Sequence, residues 1–196
     1  MMEALNDFNG KRVLVTGAAG TVGGEVLKQL SHSAAREVVG LDNNEAALFH
    51  AASSTELEFR PVLADVRDSS ALGKIFPRID VVIHLAALKH VGFSEGRPME
   101  AVKTNVLAVN TLIDCAISAE VESVVNTSTD KAVNPFSVMG TTKLMGEHLI
   151  RAANLASTST SFSSTRFGNV LGSSGSVVPI FRNQIENGAS LTLTSR

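Results

Sequence analysis

Two stretches carry residues whose types and spacing suit chemistry. The first runs Val13-Leu-Val-Thr-Gly-Ala-Ala-Gly-Thr-Val-Gly-Gly24, with Gly17, Gly20 and Gly23 three residues apart. Gly17 permits a tight exit from a strand, and Gly20 lets backbone amides approach a pyrophosphate. Gly23 lets a helix pack close to a sheet. An anion there would sit on a helix N-terminus beside Thr21 and Val22, where unpaired N–H groups and the helix dipole favour negative charge. The second stretch runs from Thr127 to Lys143 and sets two hydroxyls, a carboxyl and an amine in succession: Ser128, Thr129, Asp130 and Lys131. Met139 and Lys143 follow four apart, so they share a helix face. Taken alone, an Asp-Lys pair is commonly a solvated ion pair, Met139 a core residue, and a glycine triplet an ordinary strand-to-helix turn. Position gives them their interest.

The elements that must hold these residues alternate along the chain. Val13–Thr16 reads as a buried strand, Val22–Leu30 as an amphipathic helix, and 37–41 as a second strand ending at Asp42. Asp42 follows Gly23 by roughly the 20 residues expected of a ribose-binding acid, which favours NAD over NADP. The alternative is a helix N-cap, since Asn43-Asn44-Glu45 opens another helix. Strands are expected at 60–64, 81–85, 123–127 and 162–167, with helices at 69–76 and 99–119. Ser157–Thr165, rich in Ser and Thr, reads mainly as a surface loop. The tail suggests one short helix and a last strand at 191–194. This pattern is an α/β fold: a doubly wound parallel sheet, the NAD(P)-binding Rossmann arrangement. The small pair Ala86-Ala87 would let a cofactor lie against the backbone, or a helix pack closely. His84, at the end of a buried strand, reads as structural.

Composition narrows the classes. The chain has 196 residues, 44% hydrophobic and 18% charged, with a formal net charge of −2, which suits one globular domain. Scattered basic residues give no track for nucleic acid. The single cysteine, Cys115, reads as an inert thiol in a reducing cytoplasm. No signal peptide or uncharged apolar run of about 18 residues is evident, so no membrane insertion is expected. No His/Cys cluster has metal spacing, so no metal is expected.

Several blocks together resemble the extended short-chain dehydrogenase/reductase superfamily. They are the glycine triplet, Asp65-Val66-Arg67, Ala86-Ala-Leu-Lys-His-Val91, Lys103-Thr-Asn105, Ser128-Thr-Asp-Lys-Ala-Val-Asn-Pro135, and the run from Arg166-Phe-Gly-Asn169 to Pro179. More closely, they resemble its nucleotide-sugar 4,6-dehydratases of polysaccharide biosynthesis, which act on UDP-N-acetylglucosamine. The resemblance covers nearly the whole chain. It departs at one catalytic position, where the superfamily usually has Tyr four residues before the helix lysine. This chain has Met139, and contains no tyrosine. A thioether cannot take up a proton, so the tyrosine-based mechanism is excluded, and a Met-containing subgroup is the nearer match. Members of the family also continue beyond the point matching Arg196, so the chain reads as truncated: a Rossmann domain over 1–196 with the start of a substrate-binding part.

The implied reaction is redox-neutral: hydride leaves sugar C4 for NAD, water is lost across C5/C6, and hydride returns to C6. By resemblance Asp130 is the acid for the departing hydroxyl, Lys131 the base at C5, and Lys143 binds the nicotinamide ribose. An acidic Asp130 needs burial to raise its pKa, and a basic Lys131 needs a depressed one. Their adjacency could instead lock them as an ion pair. Thr129 could bond the C4 oxygen. Asp65 and Val66 are expected at the cofactor, and Met139 and Asn169 at the sugar. Lys89 and His90 face the sugar or the solvent. A UDP-sugar is the expected partner and a homo-oligomer the expected assembly. A 4-epimerase and a non-catalytic NAD-binding protein remain alternatives.

Overall fold

A computed structural model describes residues 6–54, 57–173 and 175–193. It contains six parallel strands: β1 (Arg12–Thr16), β2 (Glu37–Asp42), β3 (Arg60–Leu63), β4 (Val81–His84), β5 (Ser123–Thr129) and β6 (Ser161–Phe167). Their order across the sheet is β3-β2-β1-β4-β5-β6, so the direction of winding reverses between β1 and β4. That is the doubly wound Rossmann topology, with its crevice at the carboxyl ends of β1 and β4. Register sets Thr16 beside His84 and His84 beside Asn126.

Helices cover both faces. On one lie α1 (Thr21–Leu30) and the residues Val13, Val15, Leu27 and Leu30, all buried. The other packs Leu14, Val39, Val82, Val124 and Phe162 against Leu72, Leu112 and Ile150. These three come from α3 (Ser69–Ile75), α6 (Ala108–Ser118) and α7 (Val138–Ala156). Burial from both sides explains why the central strands are nearly continuous apolar runs. Local chemistry fixes the helix starts. Asn44 accepts from Ala47 N at 3.1 Å to open α2 (Glu45–Ala52), Asp68 accepts from Ser70 N and Ala71 N, and Ser137 accepts from Gly140 N. The cap of α2 is therefore Asn44, which leaves Asp42 for another task.

Three expectations are corrected. The helix at 99–119 is three pieces: α5 (Pro98–Val102), one π-helical turn (Lys103–Leu107) and α6. The loop reading of 157–165 stops at residue 160: residues 161–165 belong to β6, the strand expected at 162–167, because their backbone pairs with β5 at the sheet edge, where polar side chains cost nothing. Residues 191–193 form no strand, and Thr194 lies outside the described residues. Two further α-helices occur among the described residues: α4 (Val91–Gly96), and α8 (Val177–Glu186), which has no buried residue. No helix among the described residues is long and apolar enough to cross a membrane.

Candidate active site

At the winding reversal the chain turns on Gly17, whose φ of +69° lies in the left-handed region. A Cβ there would stand 2.7 Å from Ala86 N, and one on Gly23 would stand 2.2 Å from the Gly17 carbonyl oxygen. Glycine is required at both places, once for approach to the β4 exit and once for seating α1 on the loop. The two walls are tied by Thr16, whose hydroxyl oxygen accepts from Leu85 N at 3.2 Å and Ala86 N at 3.3 Å. Its hydroxyl hydrogen is thereby turned toward His84 Nδ1, 2.7 Å away. Burial, with the Lys143 charge adding to it, brings the His84 imidazole down to about 3. It therefore stays neutral, paired with Thr16.

A groove of about 880 Å³ opens over these strand ends. Gly17, Gly20, Thr21, Val22 and Gly23 line its floor, with Ala86 and Ala87 beside them. At one end stand Asp42, Asp65 and Val66. Asp42 Oδ2 accepts from Ala19 N at 3.0 Å and Oδ1 from Asn44 N at 2.9 Å, so the carboxylate is aimed between the glycine loop and the β2 exit. Arg67 holds the Asp65 carboxyl below the ordinary carboxylate range.

The other end gathers Thr129, Lys131, Met139, Lys143 and Asn169, with Lys89 and His90 on the facing loop. Lys131 Nζ donates to Asn169 Oδ1 at 2.9 Å and to Asp130 Oδ1 at 3.0 Å. Thr129 Oγ1 also donates to Asp130 Oδ1, at 2.9 Å. Asp130 itself stands outside the described lining, with a side chain 55% exposed. The hydrogen bonds from Lys131 and then Thr129 lower its pKa. The burial expected to raise that pKa is absent: Asp130 rests as a solvated carboxylate in an ion pair. Met139 is buried, and a Cβ on Gly140 beside it would stand 2.3 Å from the Lys131 carbonyl oxygen. The first turn of α7 is thus pressed onto the turn that carries Lys131. Lys143 is 9% exposed and donates to the Thr127 carbonyl. Burial brings its amine down to about 8, while Glu147, one turn on, opposes that shift. Glu147 in turn is held below its ordinary range by a two-pronged Arg166 contact at 2.7 and 2.8 Å.

Sequence reasoning missed three features. Asn105 projects from the π-turn, accepts from Leu88 N at 2.9 Å and donates to the Leu88 carbonyl at 3.0 Å and Thr142 Oγ1 at 3.1 Å. It thus ties the Lys89–His90 loop to α7. Arg67 bridges Asp65 and Glu100. The loop after β6 lies along the groove as well, and a Cβ on Gly175 would stand 2.9 Å from His90 Cε1. Asn105 and Arg67 both sit inside motifs visible in the sequence. Cys115 is half-buried, and burial pushes its thiol up. No group of three or more His, Cys, Asp or Glu able to hold a metal occurs among the described residues.

Residues 13–196 match the family described as polysaccharide biosynthesis protein. A protein of Methanocaldococcus jannaschii described as an uncharacterized membrane protein is 46% identical, over 96% of this chain and 58% of its own length. A UDP-N-acetylglucosamine 4,6-dehydratase (inverting) of Campylobacter jejuni is 39% identical over 93% of this chain and 56% of its own. A UDP-glucose 4-epimerase of Rickettsia canadensis is 38% identical over 95% and 57%. Among solved structures, Pen from Bacillus thuringiensis superposes with a TM-score of 0.91 at 36% identity, over 96% of this chain and 61% of that one. A dTDP-glucose 4,6-dehydratase from Streptomyces venezuelae with NAD bound superposes at 0.80 and 27% identity, over 93% and 64%. The chain spans somewhat over half the length of each of these relatives. With all but its first twelve residues matched, the chain belongs to the polysaccharide biosynthesis protein family.

Proposed function

We propose that the chain is an NAD-dependent nucleotide-sugar 4,6-dehydratase acting on UDP-N-acetylglucosamine. The observation that carries this reading is the chain of contacts in which Asn169 holds Lys131 and both Lys131 and Thr129 hold Asp130, at the rim of one end of the groove, with Met139 where a tyrosine would stand. The glycine turn fits a dinucleotide: close backbone approach at Gly17 and Gly23 seats α1 against the β1 exit, which brings its N-terminal residues Gly20, Thr21 and Val22 to the groove lining. Gly20 and the start of α1 hold the pyrophosphate. Asp42 takes the adenosine ribose and, being a carboxylate, repels a 2′-phosphate. Asp65 and Val66 lie at the adenine end, and Ala86, Ala87 and Lys143 at the nicotinamide end. When bound, NAD supplies the hydride acceptor that takes hydrogen from sugar C4 and returns it to C6.

The chain's own groups handle the protons. At rest the Asp130–Lys131 pair holds one exchangeable proton, on the ammonium. Moving it across the 3.0 Å contact gives a carboxylic acid and a neutral amine, the forms that elimination needs. A sugar covering the pair strips it of water, which disfavours two charges relative to the neutral pair. Lys131 then removes the C5 proton while Asp130 protonates the departing C6 hydroxyl. Lys131 returns its proton to C5 as hydride reaches C6. The proton released from the C4 hydroxyl on oxidation passes to solvent water, and one proton from solvent restores the Asp130–Lys131 pair, so the protons balance. Thr129 bonds the C4 oxygen, and Asn169 orients the Lys131 amine. Lys89 and His90 contact the nucleotide sugar from the facing loop. Met139 shapes the pocket without exchanging protons.

Incubating the purified chain with NAD and UDP-N-acetylglucosamine, and reading products by NMR, tests this. The expected product is a 4-keto-6-deoxy sugar. Asp130→Asn and Lys131→Met should each lower turnover by about 10²–10⁴-fold while sparing NAD binding. A 4-epimer with its C6 oxygen intact would establish the epimerase instead. Bound NAD with no product would establish a non-catalytic binding protein.

A further inference from the structure

Arg67 sits in the groove lining at the Asp42 end, and each of its three side-chain nitrogens is already committed. Nε donates to Asp65 Oδ1 at 2.9 Å and Oδ2 at 3.0 Å, and Nη2 donates to Asp65 Oδ2 at 2.6 Å. Nη1 reaches Glu100 Oε2 on α5 at 2.9 Å. Glu100 is held in turn by Lys103 Nζ at 2.9 Å. The guanidinium plane is therefore fixed from two sides, by Asp65 of its own loop after β3 and by Glu100 of α5, which is distant in sequence. Two carboxylates and two cations in the cluster sum to zero charge, so this wall does not attract an anion as such. With three of its five N–H groups engaged and its plane held, the guanidinium offers a ligand its flat face. Guanidinium faces stack on aromatic rings and planar bases. Asn43, the neighbour of Asp42, also bonds Asp65, which places this plane next to the proposed ribose site.

We infer that the clamped guanidinium of Arg67 is the stacking wall for the purine base of the bound dinucleotide, a specificity-determining contact held in place by Asp65 and Glu100. The inference rests on the dinucleotide reading of the groove. Unlike a phosphate contact, a stacking wall acts only on ligands that carry a planar base. Unlike a point charge, it is not replaced by lysine, whose ammonium has no plane.

Calorimetry and NMR titration of the whole chain with NAD, AMP and ribose 5-phosphate test it, using Arg67→Lys and Arg67→Met. NAD and AMP should bind about three- to thirty-fold more weakly to both variants. Ribose 5-phosphate, which has no base, should bind as before. In the wild type, nuclear Overhauser contacts should join the Arg67 side chain to the adenine H2 or H8 proton of bound AMP. Full retention of AMP affinity in Arg67→Lys would overturn the stacking role, since charge alone would then suffice. Equal weakening of AMP and ribose 5-phosphate would also overturn it, by reducing Arg67 to a brace for the loop. Wild-type protein that binds neither NAD nor AMP would remove the dinucleotide reading itself, and the wall with it. Thermal melts of both variants show whether the fold is kept, and the wild-type Overhauser contacts decide the matter if it is not.

Discussion

Lys143 shows how burial sets the chemistry of a single residue. Its stem is enclosed by α7 and β5, and its amine has the Thr127 carbonyl for a partner. His84 beneath it is neutral, and Glu147, the nearest acid on the same helix, is already engaged by Arg166. A cation in that place is poorly compensated, so its amine falls from 10.5 to about 8. The sign of the resulting pH dependence follows. Below pH 8 both folded and unfolded chains carry the proton, and the folded state bears the full cost of the buried charge. Between about 8 and 10.5 the unfolded chain binds more protons, so stability must rise with pH across that window. Relative to Lys143→Met, which has no such group, the wild type should gain about 2–3 kcal/mol between pH 7 and pH 10. Urea unfolding at the two pH values measures it. A flat difference would mean that the amine is solvated in solution. Asp130 is the contrasting case, since its resting state could not be read from its neighbours in sequence. Adjacency to Lys131 was visible, but solvent access, which decides whether a carboxyl is raised or lowered, is a property of the folded surface.

Among the elements, the segment from Pro98 to Ser118 carries more than packing. Its π-turn displaces one residue from the helical ladder and aims Asn105 sideways, at the backbone of Leu88 and the hydroxyl of Thr142. Such turns accommodate a side chain that a regular helix would point elsewhere. Asn105→Leu, close in volume, leaves the Leu88 amide and carbonyl without partners. The expected loss is about 2–5 kcal/mol of stability. Hydrogen exchange at the Leu88 amide should accelerate by more than this global loss explains, because the Lys89–His90 loop loses its tether. Unchanged exchange there would deny Asn105 that role. The glycine turn, the central strands and the Asp42 position were legible beforehand, because each depends on local conformation or on runs buried from both sides. The π-turn was not, since α5 and α6 keep apolar spacing on either side of it. The strand expected at 191–194 is absent over its described residues, 191–193, for the opposite reason. Its alternation is strand-like, but a strand exists only where a neighbour pairs with it. β6, expected as a strand at 162–167 although its Ser-rich first half also reads as loop, is a strand because β5 offers that partner.

Taken as a whole molecule, the chain places one continuous groove across the ends of its sheet, from the Asp65–Arg67 loop beside β3 to the loop after β6. No single element owns the site: its floor, walls and ends come from stretches joined only by the sheet order. Binding that spans them should therefore stabilise the fold globally. A ligand held only by the folded state adds about 2.7 kcal/mol at a concentration one hundred times its Kd. For a chain of 196 residues that corresponds to a rise in Tm of about 5–11 °C. Scanning calorimetry with NAD at that concentration should give this rise in the wild type. Gly17→Val places a side chain where Ala86 N now lies 2.7 Å from the would-be Cβ, on backbone whose φ is +69°. This variant should melt lower than the wild type and gain little from the same NAD concentration, because the walls joined at Thr16 and Ala86 are forced apart. An equal rise in both proteins would mean that NAD is held away from the glycine cradle, and the groove would need a different ligand.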